Sequence, residues 1–117
     1  MPKFAHHRLH AYHAALDLAA AAQSLARRIP RGHRGLADHL SRATTSAPLL
    51  IAEGAHRVSA GPKRLRFEEA LGECGEAAAV AEVVERLGLV RGDDPATVLA
   101  LAGHTATLLT GLVRKFA

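Results

Sequence analysis

Three proline-bearing breaks constrain this chain more than anything else in it. Ile29-Pro30 with Gly32 and Gly35, Ser59-Ala60-Gly61-Pro62, and Arg91-Gly92-Asp93-Asp94-Pro95 cut the sequence into four long stretches. Proline cannot donate to a helix ladder and glycine frees the backbone, so a helix ends at each break and another starts after it. The expected helices cover about 8–28, 35–56, 62–87 and 95–115, with Pro62 near a first turn and Gly88 in the last connection. Asp94 is the expected N-cap of the fourth, ahead of Pro95.

The stretches between the breaks are rich in helix formers. Of 117 residues 49% are hydrophobic, yet the only aromatics are Phe4, Tyr12, Phe67 and Phe116. Apolar mass made of Ala, Leu and Val favours helices over a sandwich. Helices of roughly 30 Å joined by short turns must lie antiparallel to their neighbours. The expected fold is all-α: a single domain, 1–117, forming an up-down-up-down antiparallel four-helix bundle.

Residues 95–113 contain no Asp, Glu, Lys or Arg. Such a run invites comparison with a membrane span, but four threonines, His104 and two glycines dilute it, and a bundle helix is expected instead. An uncharged helix cannot comfortably turn one face to water. Gly103, Thr107 and Gly111 recur every four residues and would let another helix approach closely. Leu99, Leu109 and Leu112 are the expected surplus beyond what one bundle can hide, so the chain is expected to associate with copies of itself. A lone cysteine, Cys74, and a start without an uninterrupted apolar segment point to the cytoplasm.

The second helix holds Pro48 in mid-run. At 100° per residue Leu36, Leu40, Ala43, Ala47, Ile51, Gly54 and Val58 share the face expected to enter the core. Arg42, Ser46, Leu49, Glu53 and Arg57 share another. Pro48 leaves the Thr44 carbonyl without its usual donor, and the hydroxyls of Thr44 or Thr45 are expected to compensate. Glu53 precedes Arg57 by four residues, the favourable order for a helical ion pair.

This passage resembles a family of four-helix bundles, the 23S rRNA-intervening sequence proteins together with the accessory variability proteins of diversity-generating retroelements. The resemblance rests on Ala11-Tyr12-His13, Ile29-Pro30, Leu40-Ser41-Arg42-Ala43, Ser46-Ala47-Pro48 and Ile51-Ala52-Glu53-Gly54 followed by Arg57, with a looser match at residues 70–77. It covers roughly residues 4–90. Leu50 departs from the family's usual Asn, and His13 from its usual Gln. The resemblance implies a homopentamer without catalytic activity. It also implies that Arg42, Pro48, Glu53, Gly54 and Arg57 are structural, with Glu53 fixing packing against Arg57, Arg42 or a neighbouring chain. Retroelement members imply two partners, nucleic acid and a reverse transcriptase.

The net charge is +4, and the charges segregate. Between Leu18 and Ala37 there are four arginines (Arg27, Arg28, Arg31, Arg34) and no acid. Between Gly54 and Phe67 there are Arg57, Lys63, Arg64 and Arg66 and again no acid, whereas residues 68–85 hold six glutamates and no base. In an up-down bundle one end would gather Arg8, Arg57, Lys63, Arg64, Arg66, Arg114 and Lys115, with Lys3. Fivefold repetition would make a ring of about forty positive charges. Such a ring would bind phosphate backbones in a salt-dependent way, RNA in preference to DNA, or an acidic protein. No aromatic residue interleaves with these basic stretches, so a base-stacking platform is not expected.

His6, His10 and His13 are spaced to share one side of a helix, and an alternative reading gives them a metal ion. A purely structural interaction scaffold is a third. Cys74 between glycines and acids is expected to be a buried small side chain. Glu73 and Glu76 lack the Glu-x-x-His partners of a di-metal bundle, and no Ser-His-Asp grouping, phosphate loop or dinucleotide turn appears. The expectation is therefore a protein that binds and is not an enzyme, with no cofactor.

Overall fold

Helix begins and ends within a few residues of the breaks. The computed structural model describes residues 3–117 and contains four α-helices, α1 (His10–Arg28), α2 (Arg34–His56), α3 (Ala60–Arg86) and α4 (Asp94–Lys115). Two 3-10 turns, Ala5–Arg8 and Arg31–His33, precede α1 and α2. No strand occurs among the described residues. α1 packs on α2 and α4, and α3 packs on the same two helices.

The turns work as their chemistry dictates. α1 stops at Ile29 in extended backbone (φ −68°, ψ 128°), and Pro30 turns the chain toward α2. α3 ends in a left-handed cap: Gly88 has φ 65°, its N–H donates to Glu85 O at 3.1 Å, and Leu89 N–H donates to Val84 O at 3.1 Å. Those bonds satisfy carbonyls that the helix end would otherwise leave bare. At the start of α4 the expectation is corrected. Asp93, not Asp94, stands at the N-cap, and Asp94 is the first helical residue. Its carboxylate Oδ2 accepts from Arg28 Nη1 at 2.8 Å, drawn away from the cap by a stronger, charged donor.

The core follows the helical period. Leu18, Ala22 and Leu25 of α1 meet Leu40, Ala47 and Ile51 of α2, Phe67, Cys74 and Val84 of α3, and Val98, Ala102 and Leu109 of α4. The expected face of α2 is buried at Leu40, Ala43, Ala47, Ile51 and Gly54, while Leu36 is half-buried. Val58 is instead 98% exposed, because α2 has already ended at His56 and the period no longer applies. Pro48 is buried inside α2. The Thr44 and Thr45 hydroxyls do not cover the freed Thr44 carbonyl; they donate to Leu40 O and Ser41 O, each at 2.8 Å. A hydroxyl one turn on reaches back to the i−4 carbonyl, so neither can serve Thr44.

α4 departs most from a helix saturated by its own chain. It is long and apolar enough to cross a membrane by length and composition, with an 18-residue stretch of mean hydropathy 1.5, yet only 22% of that stretch is buried. Leu109 is fully buried, which corrects its place in the surplus; Leu99 and Leu112 are half-buried against the core. What faces outward along the uncharged run is Ala96, Thr97, Ala100, Gly103, His104, Thr107 and Gly111, small residues but for His104. A β-carbon at Gly103 or Gly111 would meet nothing within 4 Å.

Candidate nucleic-acid interface

The motif residues of α2 join it to α3. Gly54 sits against the Phe67 ring, and Arg66 Nε lies 3.3 Å from Glu53 Oε2. Arg66 also donates from Nη1 to Glu69 at 2.7 Å. The carboxylate of Glu53 therefore pairs with neither Arg57 nor Arg42. Arg57 is the C-cap residue of α2 in extended backbone (φ −74°, ψ 146°), outside the helical register that the i, i+4 pairing requires. Arg42 lies 3.6 Å from Glu76 and donates to His39 Nδ1 at 2.9 Å.

Those pairings sort the expected binding cations. Arg64 is held by Glu68 at 3.3 Å, a pair within α3, and Arg66 stands between two carboxylates. Neither offers an uncommitted charge. Arg57 lines a shallow concavity of about 210 Å³ with Glu53 and His56, and Arg114 is exposed. Arg8, Lys63 and Lys115 have no carboxylate within 4 Å among the described residues. All three line one cavity of about 380 Å³ with Leu9, Phe67 and Phe116.

Each of the three arrives from a different element. Arg8 ends the first 3-10 turn, Lys63 lies in the first turn of α3, and Lys115 closes α4. Lys63 is anchored: its Nζ donates to Gly54 O at 3.2 Å and Ala55 O at 2.9 Å in the last turn of α2, where Gly54 O also accepts from Arg57 N–H. A cation there also meets the negative end of the helix dipole. Its Nζ is 5.6 Å from the centre of the Phe116 ring, and that of Lys115 is 5.5 Å from it. The ring thereby holds two ammonium groups by their attraction to its π-face. Sequence reasoning missed Phe116 as a participant. Its place directly after Arg114-Lys115 was the available signal, but Phe67, its ring neighbour at 6.0 Å, is far away in sequence.

The N-terminal histidines do not form the one-sided row that their spacing suggests. Leu9 is extended (φ −92°, ψ 120°) between the 3-10 turn and α1, so His6 belongs to a different element from His10 and His13. His6 Nδ1 instead lies 3.1 Å from His56 Nε2 on α2, and His13 Nε2 lies 2.9 Å from His7 O. Phe4 stacks on His6, and Tyr12 meets it edge-on at 4.6 Å. No group of three or more His, Cys, Asp or Glu among the described residues is arranged to hold a metal ion. Cys74 is buried, and burial first and Glu73 second push its thiol up to about 11. A thiol so seldom ionised at neutral pH is a poor nucleophile.

A family model described as 23S rRNA-intervening sequence protein matches residues 7–111. The chain belongs to this family. No curated protein matches the sequence. Among solved structures, it is similar to a crystal structure from Bacteroides thetaiotaomicron, titled as a protein with unknown function from the S23 ribosomal protein family. That likeness has a TM-score of 0.82 at 16% identity and covers 89% of this chain and 98% of the other. At that identity it speaks to the fold alone. The α2 motif is accordingly a packing device between α2 and α3, while the cations Arg8, Lys63 and Lys115, which have no acidic partner among the described residues, lie near the ends of the helices.

Proposed function

We propose that the protein is a non-catalytic, self-associating bundle that contacts nucleic acid, RNA in preference to DNA, through the end bearing Arg8, Lys63 and Lys115. One observation carries the reading: three cations from widely separated parts of the chain converge on one concavity, and none has an acidic partner among the described residues. Phosphate oxygens are suitable counter-charges, and the released counterions would supply the affinity. Arg57 and Arg114 extend the basic surface, while Arg66 ties α3 to α2 through Glu53 and Arg64 is held within α3 by Glu68. Membership of the 23S rRNA-intervening sequence proteins supports RNA as the class of partner.

The same proposal places the helices up, down, up and down. Contacts between opposite ends of neighbouring helices support it: His6, ahead of α1, with His56 at the end of α2, Arg28 at the end of α1 with Asp94 at the start of α4, and Phe67 early in α3 with Phe116 after α4. Self-association, with a pentamer favoured, is supported by the exposed small-residue face of α4. A second copy would cover that face, giving a cytoplasmic oligomer and not a membrane protein.

Retention of a structured RNA and of duplex DNA on filters, across a salt series, tests the binding. Log affinity should fall linearly with log salt, and replacing Arg8 and Lys115 together should reduce the slope by about 2. Salt-independent or absent retention would remove the reading. Light scattering tests the assembly, and a monomer at micromolar concentration would remove that part.

A further inference from the structure

A second cationic concavity lies at the other end of α2. Arg27 from the last turn of α1, Arg31 from the 3-10 turn and Arg34 at the start of α2 line a cavity of about 300 Å³, with Ile29 and Pro30 in its wall. Local geometry brings them together. Ile29 and Pro30 reverse the chain in extended backbone, and in a 3-10 turn residues three apart eclipse, so Arg31 and Arg34 leave on one side. Arg28, next in sequence to Arg27, is taken elsewhere: it donates to Asp94 and to the carbonyl of Arg91.

The three that remain make no ion pair within the chain's described residues. Arg28, Arg42, Arg64 and Arg66 each have a carboxylate within 4 Å; Arg27, Arg31 and Arg34 have none among the described residues. Asp38 is the only acid lining the cavity, and it makes no ion pair with them. Three guanidinium groups around one concavity repel each other unless an anion sits between them. Each presents a planar fork of donors that matches two oxygens of one ligand. A single carboxylate has oxygens for one fork, whereas a phosphate group has three or four and can answer all three.

We propose that the cavity at the α1–α2 connection binds a phosphate group, with Arg27, Arg31 and Arg34 as its donors. The cavity holds about ten water volumes, room for a phosphate and the sugar attached to it. The site is separate from the Arg8–Lys63–Lys115 cavity. α2 rises roughly 30 Å between Arg34 and Ala55, so no one phosphate reaches both. The phosphate could be free, as in a phosphorylated small molecule, or part of a polynucleotide backbone.

The test is the melting temperature of the full chain as phosphate replaces chloride at constant ionic strength and pH. The native chain should rise by several degrees and saturate at millimolar phosphate, as expected for a ligand that binds only the folded state. The variant R27Q/R31Q/R34Q should lose the saturating rise, and R8Q/K115Q should keep it. Arg34→Lys, which retains charge but lacks the fork, should weaken the response several-fold. All five side chains are exposed, and circular dichroism verifies that each variant folds. Parallel titrations with ribose 5-phosphate and with a twelve-nucleotide RNA distinguish the sources: saturation by the first supports a free phosphate, and saturation by the RNA alone supports a backbone. An equal rise in native chain and triple variant, or no saturating response to any of the three probes, overturns the proposal.

Discussion

A β-carbon on Gly54 would stand 2.7 Å from Cε1 of Phe67 and 3.2 Å from Cβ of Arg66. The approach of α2 to α3 thus depends on a hydrogen atom at residue 54, against a ring that is itself buried. Glu53, one residue earlier, adds an ion pair to the same contact. The glycine and the acid of the Ile51-Ala52-Glu53-Gly54 stretch serve one joint within the chain.

Gly54→Ala should destabilise the fold by about 1–3 kcal/mol, since the overpacking outweighs the gain in helix propensity. Gly72→Ala is the matched control: it lies inside α3 with nothing within 4 Å of the new carbon, and should stabilise by up to about 1 kcal/mol. Urea unfolding of both variants measures the contrast. Equal responses would mean that the helices do not meet this closely.

The ion pair is worth much less than the packing beside it. Glu53→Gln should shift stability by no more than about 1 kcal/mol, because its side chain is half exposed and water screens the pair. Phe67→Ala, which empties a fully buried site, should lose about 3–5 kcal/mol. A loss at Glu53 matching that at Phe67 would contradict this ranking.

Cys74 should resist thiol reagents at neutral pH in the folded chain and react fully in denaturant. Its thiol is both buried and pushed up to about 11. The rate of disulfide exchange with an aromatic disulfide, with and without urea, reads this directly. Rapid labelling of folded protein would disprove it.

The N-terminal turn should loosen in acid. Burial, then the neighbouring His7, His56 and His13, lower the pKa of His6 from its ordinary 6.5. Below that value the unfolded chain binds more protons than the folded one, so stability rises with pH. The contribution is complete above about 6.5 and is lost as the pH falls toward the lowered folded value. His7 from its own turn, Tyr12 and His13 from α1 and His56 from α2 face the imidazole. Melting temperatures from pH 8 to pH 5 should fall less steeply for His6→Gln than for the native chain, and parallel curves would refute the linkage.

Removing positive charge should discriminate between the two kinds of cation. Lys115→Glu should weaken RNA retention and flatten its salt dependence by about one unit of slope or more. Arg66→Gln, which removes a cation already shared by two acids, should leave the slope nearly unchanged. Equal slopes for the two variants would show that pairing does not decide which cation binds.

Much of the fold was legible in the residues. Pro30, the Ser59–Pro62 stretch and Pro95 with its glycine and aspartates bracket all four helices, and the boundaries fall within two residues of the expected ones. The core face of α2 was legible at Leu40, Ala47 and Ile51 and failed only at Val58, past the helix end. Pairings were not legible. Glu53 has Arg57 four residues on, yet it joins Arg66, thirteen residues away.

What the sequence determined by itself was where helix starts and stops and which side of each helix is apolar. Turn chemistry and periodicity act over a few residues, so a local reading captures them. Only the tertiary structure decided which cations are held by acids, that Phe116 meets Phe67 and Lys63, and that Arg28 turns away from Arg27, Arg31 and Arg34. Coulomb attraction and packing depend on distances in space, and those are set by how whole helices dock.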